Sequence, residues 1–119
     1  MNEYQEQLLD HYKNPQNFDK QIEYTNKATS KNLSCGDRVT IQLDIKNDVI
    51  VDVSFNGEGC SICIGSASLL YEKIIGMKIS ELSKFNLDSL LELIGIELTS
   101  SRLKCASISL DAAKTAAGV

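Results

Sequence analysis

The sequence holds no run of apolar residues approaching the 18 or more that a membrane span requires. Its opening residues, Met1-Asn2-Glu3-Tyr4-Gln5-Glu6, have neither the basic start nor the apolar stretch of a secretory signal. Positive charge is not in excess either. Twelve Lys and Arg stand against 16 Asp and Glu, a formal charge of −4, opposite in sign to a surface that tracks phosphates. That balance argues against nucleic acid as a main partner. Low-complexity tracts, internal repeats and linkers are lacking, which argues against disorder. Together these absences point to the cytosol, where thiols stay reduced. The four cysteines are therefore read as ligands or nucleophiles before disulfides.

What is present suits one domain over residues 1–119, with 43% hydrophobic residues to fill its core. Tyr4, Leu8 and Tyr12 recur every four positions, with Leu9 widening the stripe, and predict a helix over residues 3–13 that ends at Asn14-Pro15. A polar stretch follows, with an expected edge strand over Ile22–Thr29. Val39, Ile41, Leu43 and Ile45 alternate with polar residues, and after Asn47-Asp48 a second alternation runs through Val49, Val51, Val53 and Phe55. This is a hairpin with one buried face, expected to break at Asn56-Gly57-Glu58-Gly59. Helices are predicted over Ser61–Ile75, Ile79–Lys84, Leu87–Ile94 and from about Ser101 onward. Strands first and helices after give an α+β class: a small antiparallel sheet of about three strands with helices on one face.

Cys35 stands in Ser34-Cys35-Gly36-Asp37, where Gly36 permits a sharp turn and a thiol and a carboxylate lie two residues apart. Cys60 follows Gly57-Glu58-Gly59, where strand gives way to helix, and Cys105 is expected in the first turn of the last helix. Two strands and a turn fit between Cys35 and Cys60, so both can reach one edge of the sheet. Three soft thiolates with one hard carboxylate suit Zn²⁺ or an iron–sulfur cluster. The carboxylate in place of a fourth thiolate weakens a cluster site, so replacing Asp37 with Ala or Cys is expected to slow release of the cargo. The positive end of a helix and nearby cations lower a thiol's pKa. With Arg102 and Lys104 beside it, Cys105 is the expected sulfur-accepting nucleophile.

Other residues carry less. Cys63, one turn after Cys60 on an apolar helix, reads as core, although Cys60-Ser61-Ile62-Cys63 also matches a C-x-x-C pattern. His11, the only histidine, could bind metal or act as a base, and is expected instead to complement the end of its helix. Gly57-x-Gly59 lacks the Lys and the longer pattern of a phosphate loop and reads as a turn. Two rival functions stay open on these residues. One is a small structural-zinc protein whose task is protein binding. The other is a redox protein using Cys60 and Cys63, which predicts a disulfide between them.

Four segments, in order, resemble the NifU N-terminal, IscU and SufU family of iron–sulfur cluster assembly proteins. They are Asp10-His11-Tyr12-Lys13-Asn14-Pro15, Cys35-Gly36-Asp37, Gly57-Glu58-Gly59-Cys60-Ser61-Ile62 with Ser66-Ala67-Ser68, and Arg102-Leu103-Lys104-Cys105-Ala106. The resemblance spans nearly the whole chain and implies a small antiparallel sheet with helices packed on it. It further implies that Cys35, Asp37, Cys60 and Cys105 hold Zn²⁺ or a transient 2Fe-2S cluster. A cysteine desulfurase would deliver persulfide sulfur to Cys105, and apo iron–sulfur proteins or a carrier would receive the product.

The IscU branch carries a Leu-Pro-Pro-Val-Lys stretch recognised by an Hsp70 chaperone, and a His before its third cysteine. Here Pro15 is the only proline and Lys104 stands in the histidine's place, so the resemblance implies no dedicated Hsp70 partner. The SufU branch shares Gly-Glu-Gly-Cys and Lys-Cys-Ala but usually has an insertion before the third cysteine, which this chain lacks. Its motifs resemble SufU, whose members bind Zn²⁺ and relay sulfur. Its length resembles IscU, whose members build a 2Fe-2S cluster. A protonated Lys104 has no lone pair for metal, yet it can stabilise a Cys105 thiolate or persulfide.

Overall fold

The computed structural model describes residues 2–119. They run α1 (Glu3–Lys13), β1 (Asn26–Asn32), β2 (Asp37–Lys46), β3 (Val49–Glu58), α2 (Ser61–Ile74), α3 (Ile79–Lys84), α4 (Leu87–Ile94) and α5 (Ser100–Ala117). The strands form one antiparallel sheet in the order β1-β2-β3, so the α+β expectation holds. Alternation builds β2: Val39, Ile41 and Leu43 are fully buried, while Arg38, Thr40 and Gln42 point the other way. Asn47 and Asp48 both take positive φ, 52° and 62°, as the tightest hairpin turns require.

Two strands differ from expectation. β3 does not break at Asn56; its ladder continues through Gly57 opposite Val39 to Glu58 opposite Arg38. Gly57 is admitted because it has no side chain: a Cβ there would collide with the Arg38 carbonyl oxygen. Gly57→Ala is expected to cost about 1–3 kcal/mol, in the range of other overpacking changes. A urea midpoint equal to that of the unaltered protein would refute this.

The second difference is β1, which occupies Asn26–Asn32 where the edge strand was expected over Ile22–Thr29. Its inward positions, Asn26, Ala28, Ser30 and Asn32, are too small and polar to show as hydrophobic alternation. Pairing with β2 fixes its place instead, from Asn26 opposite Leu43 to Asn32 opposite Asp37.

One face of the sheet is covered. α5 packs on β1 and β2, α2 packs on β3 and α5, and α1 lies outside on α2. Tyr71 joins three of these elements. Its hydroxyl donates to the Ser109 carbonyl at 2.6 Å, and its ring meets Phe55 edge-on with centroids 5.2 Å apart. α1 is fastened by Leu8, which seats on Gly65, and by a 2.7 Å hydrogen bond between His11 Nδ1 and Ser68 Oγ. His11 thus does more than complement its helix end: it ties α1 to α2, and it does not line the cysteine cavity described below. Among the described residues, no helix is long and apolar enough to cross a membrane.

Candidate metal centre

The register of the hairpin decides where the site lies. Arg38 pairs with Glu58, so Asp37 at the start of β2 and Gly59-Cys60 beyond the end of β3 emerge at the same end of the sheet. The β1–β2 turn adds Cys35. There the Asn32 carbonyl accepts the Cys35 and Gly36 N–H groups at 3.3 and 2.9 Å, and Gly36 takes φ +74°. α5, lying across β1 and β2, brings Cys105 to the same place. The Cys35 sulfur, an Asp37 carboxylate oxygen and the Cys105 sulfur all lie within 4.8 Å of one another. With Cys60, Ser101 and Arg102 they line a cavity of about 300 Å³. Cys60 faces the cavity without joining the 4.8 Å group.

These donors fit a metal ion. Two sulfurs about 2.3 Å from a tetrahedral ion stand about 3.8 Å apart, so the trio has only about 1 Å to close. Asp37 is 3% exposed, and its Oδ2 is buried without any hydrogen-bond partner. A buried, unpaired carboxylate oxygen is costly, and a cation is the partner that removes the cost. Gly59 makes the cradle: a Cβ there would sit 2.7 Å from Asp37 Oδ1 and 2.9 Å from Cys63 Sγ. Three sulfurs and a carboxylate suit Zn²⁺, and equally the iron of a cluster.

Asp37 is the first residue of β2, paired with Asn32 and facing inward. One expectation about the site is corrected. Cys105 is the sixth residue of α5, in its second turn, and is buried. Burial pushes its thiol above the ordinary range, and the Asp37 carboxylate and Cys60 sulfur beside it push the same way. The lowering expected from the helix end and from Arg102 and Lys104 is outweighed, because burial dominates and the helix field fades within the first turn. Arg102 lines that cavity, whereas Lys104 lines a neighbouring cleft with Cys35 and Ser34.

Cys60 does sit at a helix start, as the N-cap of α2. Cys63 is fully buried, as expected for core. Burial, followed by the charges of Asp37 and Cys60, pushes its thiol up to about 12. All four cysteines are free. Sequence reasoning missed Asn32, which is 8% exposed and organises the site from beneath: its Oδ1 accepts the Ser34 N–H at 3.3 Å, and its Nδ2 points at Cys105 Sγ from 4.0 Å. Nothing in a polar edge strand signals such a role.

The geometry accords with known proteins. The family model described as "NifU-like N terminal domain" matches residues 3–119. The chain belongs to the NifU-like N-terminal domain family. The iron-sulfur cluster assembly scaffold protein IscU 1 of Archaeoglobus fulgidus is 31% identical over 113 residues, covering 95% of this NifU-like chain and 73% of its own length. The zinc-dependent sulfurtransferase SufU of Bacillus subtilis is 31% identical over 123 residues, covering 89% and 83%. Among solved structures, the SUF-system protein FiSufU of Fervidobacterium islandicum AW-1 superposes with a TM-score of 0.80 at 26% identity, over 98% of this chain and 96% of that one. The four-segment resemblance and the fold it implied are both borne out.

Proposed function

We propose that this NifU-like chain serves iron–sulfur cluster assembly, accepting persulfide sulfur from a cysteine desulfurase at Cys105 and holding metal through Cys35, Asp37, Cys60 and Cys105. The observation that carries the reading is the meeting of Cys35, Asp37 and Cys105 within 4.8 Å at one end of the sheet. The buried Asp37 oxygen without a partner supports it, as do the scaffold and sulfurtransferase relatives.

Sulfur acceptance is a thiol exchange. The Cys105 thiolate attacks the outer sulfur of the desulfurase persulfide; an S–S bond forms on Cys105 as the partner's S–S bond breaks, and the partner's cysteine leaves with the electron pair as a thiolate. Cys105 must first lose its proton, which burial and the neighbouring Asp37 carboxylate oppose, so positive charge brought into the cavity is what favours the thiolate. Cys35, Asp37, Cys60 and Cys105 would hold a metal, and its positive charge would favour the ionised thiols. Burial of Cys105 shields the accepted sulfur from stray thiols.

A zinc-dependent relay that builds no cluster is the second reading, favoured by Lys104, which offers metal no lone pair while protonated. Metal and acid-labile sulfide content, with an absorption spectrum, on protein purified without oxygen decides between them. About one colourless, sulfide-free zinc per chain marks the relay. Iron and sulfide in equal amounts with visible absorption bands mark the scaffold. Protein that holds neither metal and takes up neither from added salts overturns both readings.

A further inference from the structure

Cys63 has no part in the chemistry above, yet its position is not that of an ordinary core residue. Cys60 is the N-cap of α2 and Cys63 is three residues on, the two positions whose side chains reach each other's backbone N–H in a capping box. Cα atoms three apart on a first helical turn are separated by about 5 Å. A disulfide spans Cα separations of roughly 4.4–6.8 Å. Cys60 makes no side-chain cap hydrogen bond, so its sulfur is not tied to the backbone of its own helix.

The Cys63 sulfur and the Asp37 carboxylate share the one space that a Cβ on Gly59 would fill, at 2.9 and 2.7 Å from it, so this thiol borders the donors of the metal cavity. Cys60 is half-buried and lines that cavity, while Cys63 is fully buried. One thiol can be reached from outside and the other only from the first. That is the asymmetry of an attacking and a resolving cysteine.

We propose that Cys60 and Cys63 form a reversible disulfide that withdraws Cys60 from the metal centre, so that oxidation by a small-molecule disulfide empties the site. The disulfide stands on its own geometry; the emptying rests on the reading of Cys60 as a ligand. The Cys60 thiolate attacks one sulfur of the oxidant RSSR, whose S–S bond breaks and releases RS⁻. Cys63, losing its proton, then attacks the Cys60 sulfur of the mixed disulfide, and the second RS⁻ leaves. Two cysteine thiols are oxidised and RSSR is reduced to two thiols. A dithiol reductant reverses the sequence.

Trypsin places the relevant cysteines on three peptides: Cys35 on Asn32–Arg38, Cys60 and Cys63 together on Asn47–Lys73, and Cys105 on Cys105–Lys114. Metal-free, reduced protein of residues 1–119 is incubated with oxidised glutathione, quenched in acid, alkylated and digested for mass spectrometry. The expected result is an Asn47–Lys73 peptide lighter by two hydrogens, with Cys35 and Cys105 alkylated. Cys63→Ala should instead accumulate glutathione on Cys60. A first disulfide joining the Cys35 and Cys105 peptides, whose sulfurs are also close, overturns the proposal. So does a stable glutathione adduct on Cys60 of the unaltered protein.

Zn²⁺ affinity, measured by chelator competition, completes the test. The oxidised protein and reduced Cys60→Ser should both bind at least about tenfold more weakly than the reduced parent, since even outer-shell changes cost about 10- to 100-fold. If the disulfide forms but Cys60→Ser binds zinc normally, the ligand reading of Cys60 fails and the gate fails with it. If Cys60→Ser binds weakly but no disulfide forms, the gate alone fails.

Discussion

A Cys105→Ser protein is expected to accept no sulfur from a desulfurase persulfide, falling at least about 1000-fold below the parent, as loss of an attacking nucleophile does elsewhere. Its fold should survive. Serine is close to cysteine in shape and can keep the hydrogen bond that the Cys105 thiol donates to the Ser101 carbonyl at 3.5 Å. The hydroxyl is far less acidic than a thiol and attacks sulfur poorly, so chemistry is lost without packing. The competing acceptor is Cys35, which is exposed on its turn, whereas Cys105 is 3% exposed. One experiment separates them: after reaction with desulfurase and cysteine, mass spectrometry locates the added sulfur on the Cys35 or the Cys105 peptide. Added sulfur on Cys35, persisting in Cys105→Ser, would sink the assignment.

The second large effect is a reversal of rank. Without metal, Asp37→Ala should be more stable than the parent by about 1 kcal/mol, because it removes a buried carboxylate oxygen that has no partner. With free Zn²⁺ at about 1000 times its dissociation constant, the parent gains about 4 kcal/mol. For a chain of this size that is roughly 15 °C in melting temperature. If the lost ligand weakens binding about 100-fold, the variant gains only about 1.4 kcal/mol, so zinc puts the parent ahead. Calorimetry in chelator and in zinc reads both halves. Equal gains for the two proteins would show that Asp37 is no ligand; this equilibrium measure is separate from the rate at which a cluster departs.

The elements that could be read in the sequence are those whose side chains report burial. Val39, Ile41 and Leu43 alternate because one face of β2 meets the helices, and the predicted bounds of α3 and α4 coincide with those in the structure. β1 was displaced because hydrogen bonding to β2, rather than hydrophobic contact, holds it, and Asn26, Ser30 and Asn32 carry no apolar signal. For the site, Cys35, Asp37 and Cys60 stood out through their glycine neighbours and Cys105 through Arg102 and Lys104. Their burial did not, because it depends on where α5 crosses the sheet. Placing Cys105 one turn too early reversed the inferred direction of its pKa shift. Gly59 looked like a turn residue, and only its contacts with Asp37 and Cys63 show that it shapes the cavity.

One consequence concerns the order of synthesis. α5 covers the inner face of β1 and β2, and it also carries Cys105. A ribosome adding about 5–20 residues per second exposes Cys35, Asp37 and Cys60 seconds before Cys105 exists. Through that interval Val39, Ile41 and Leu43 lack their cover and the trio lacks its third member. On the proposed reading, the full donor set is therefore assembled only as α5 closes the core, so its completion reports a folded chain.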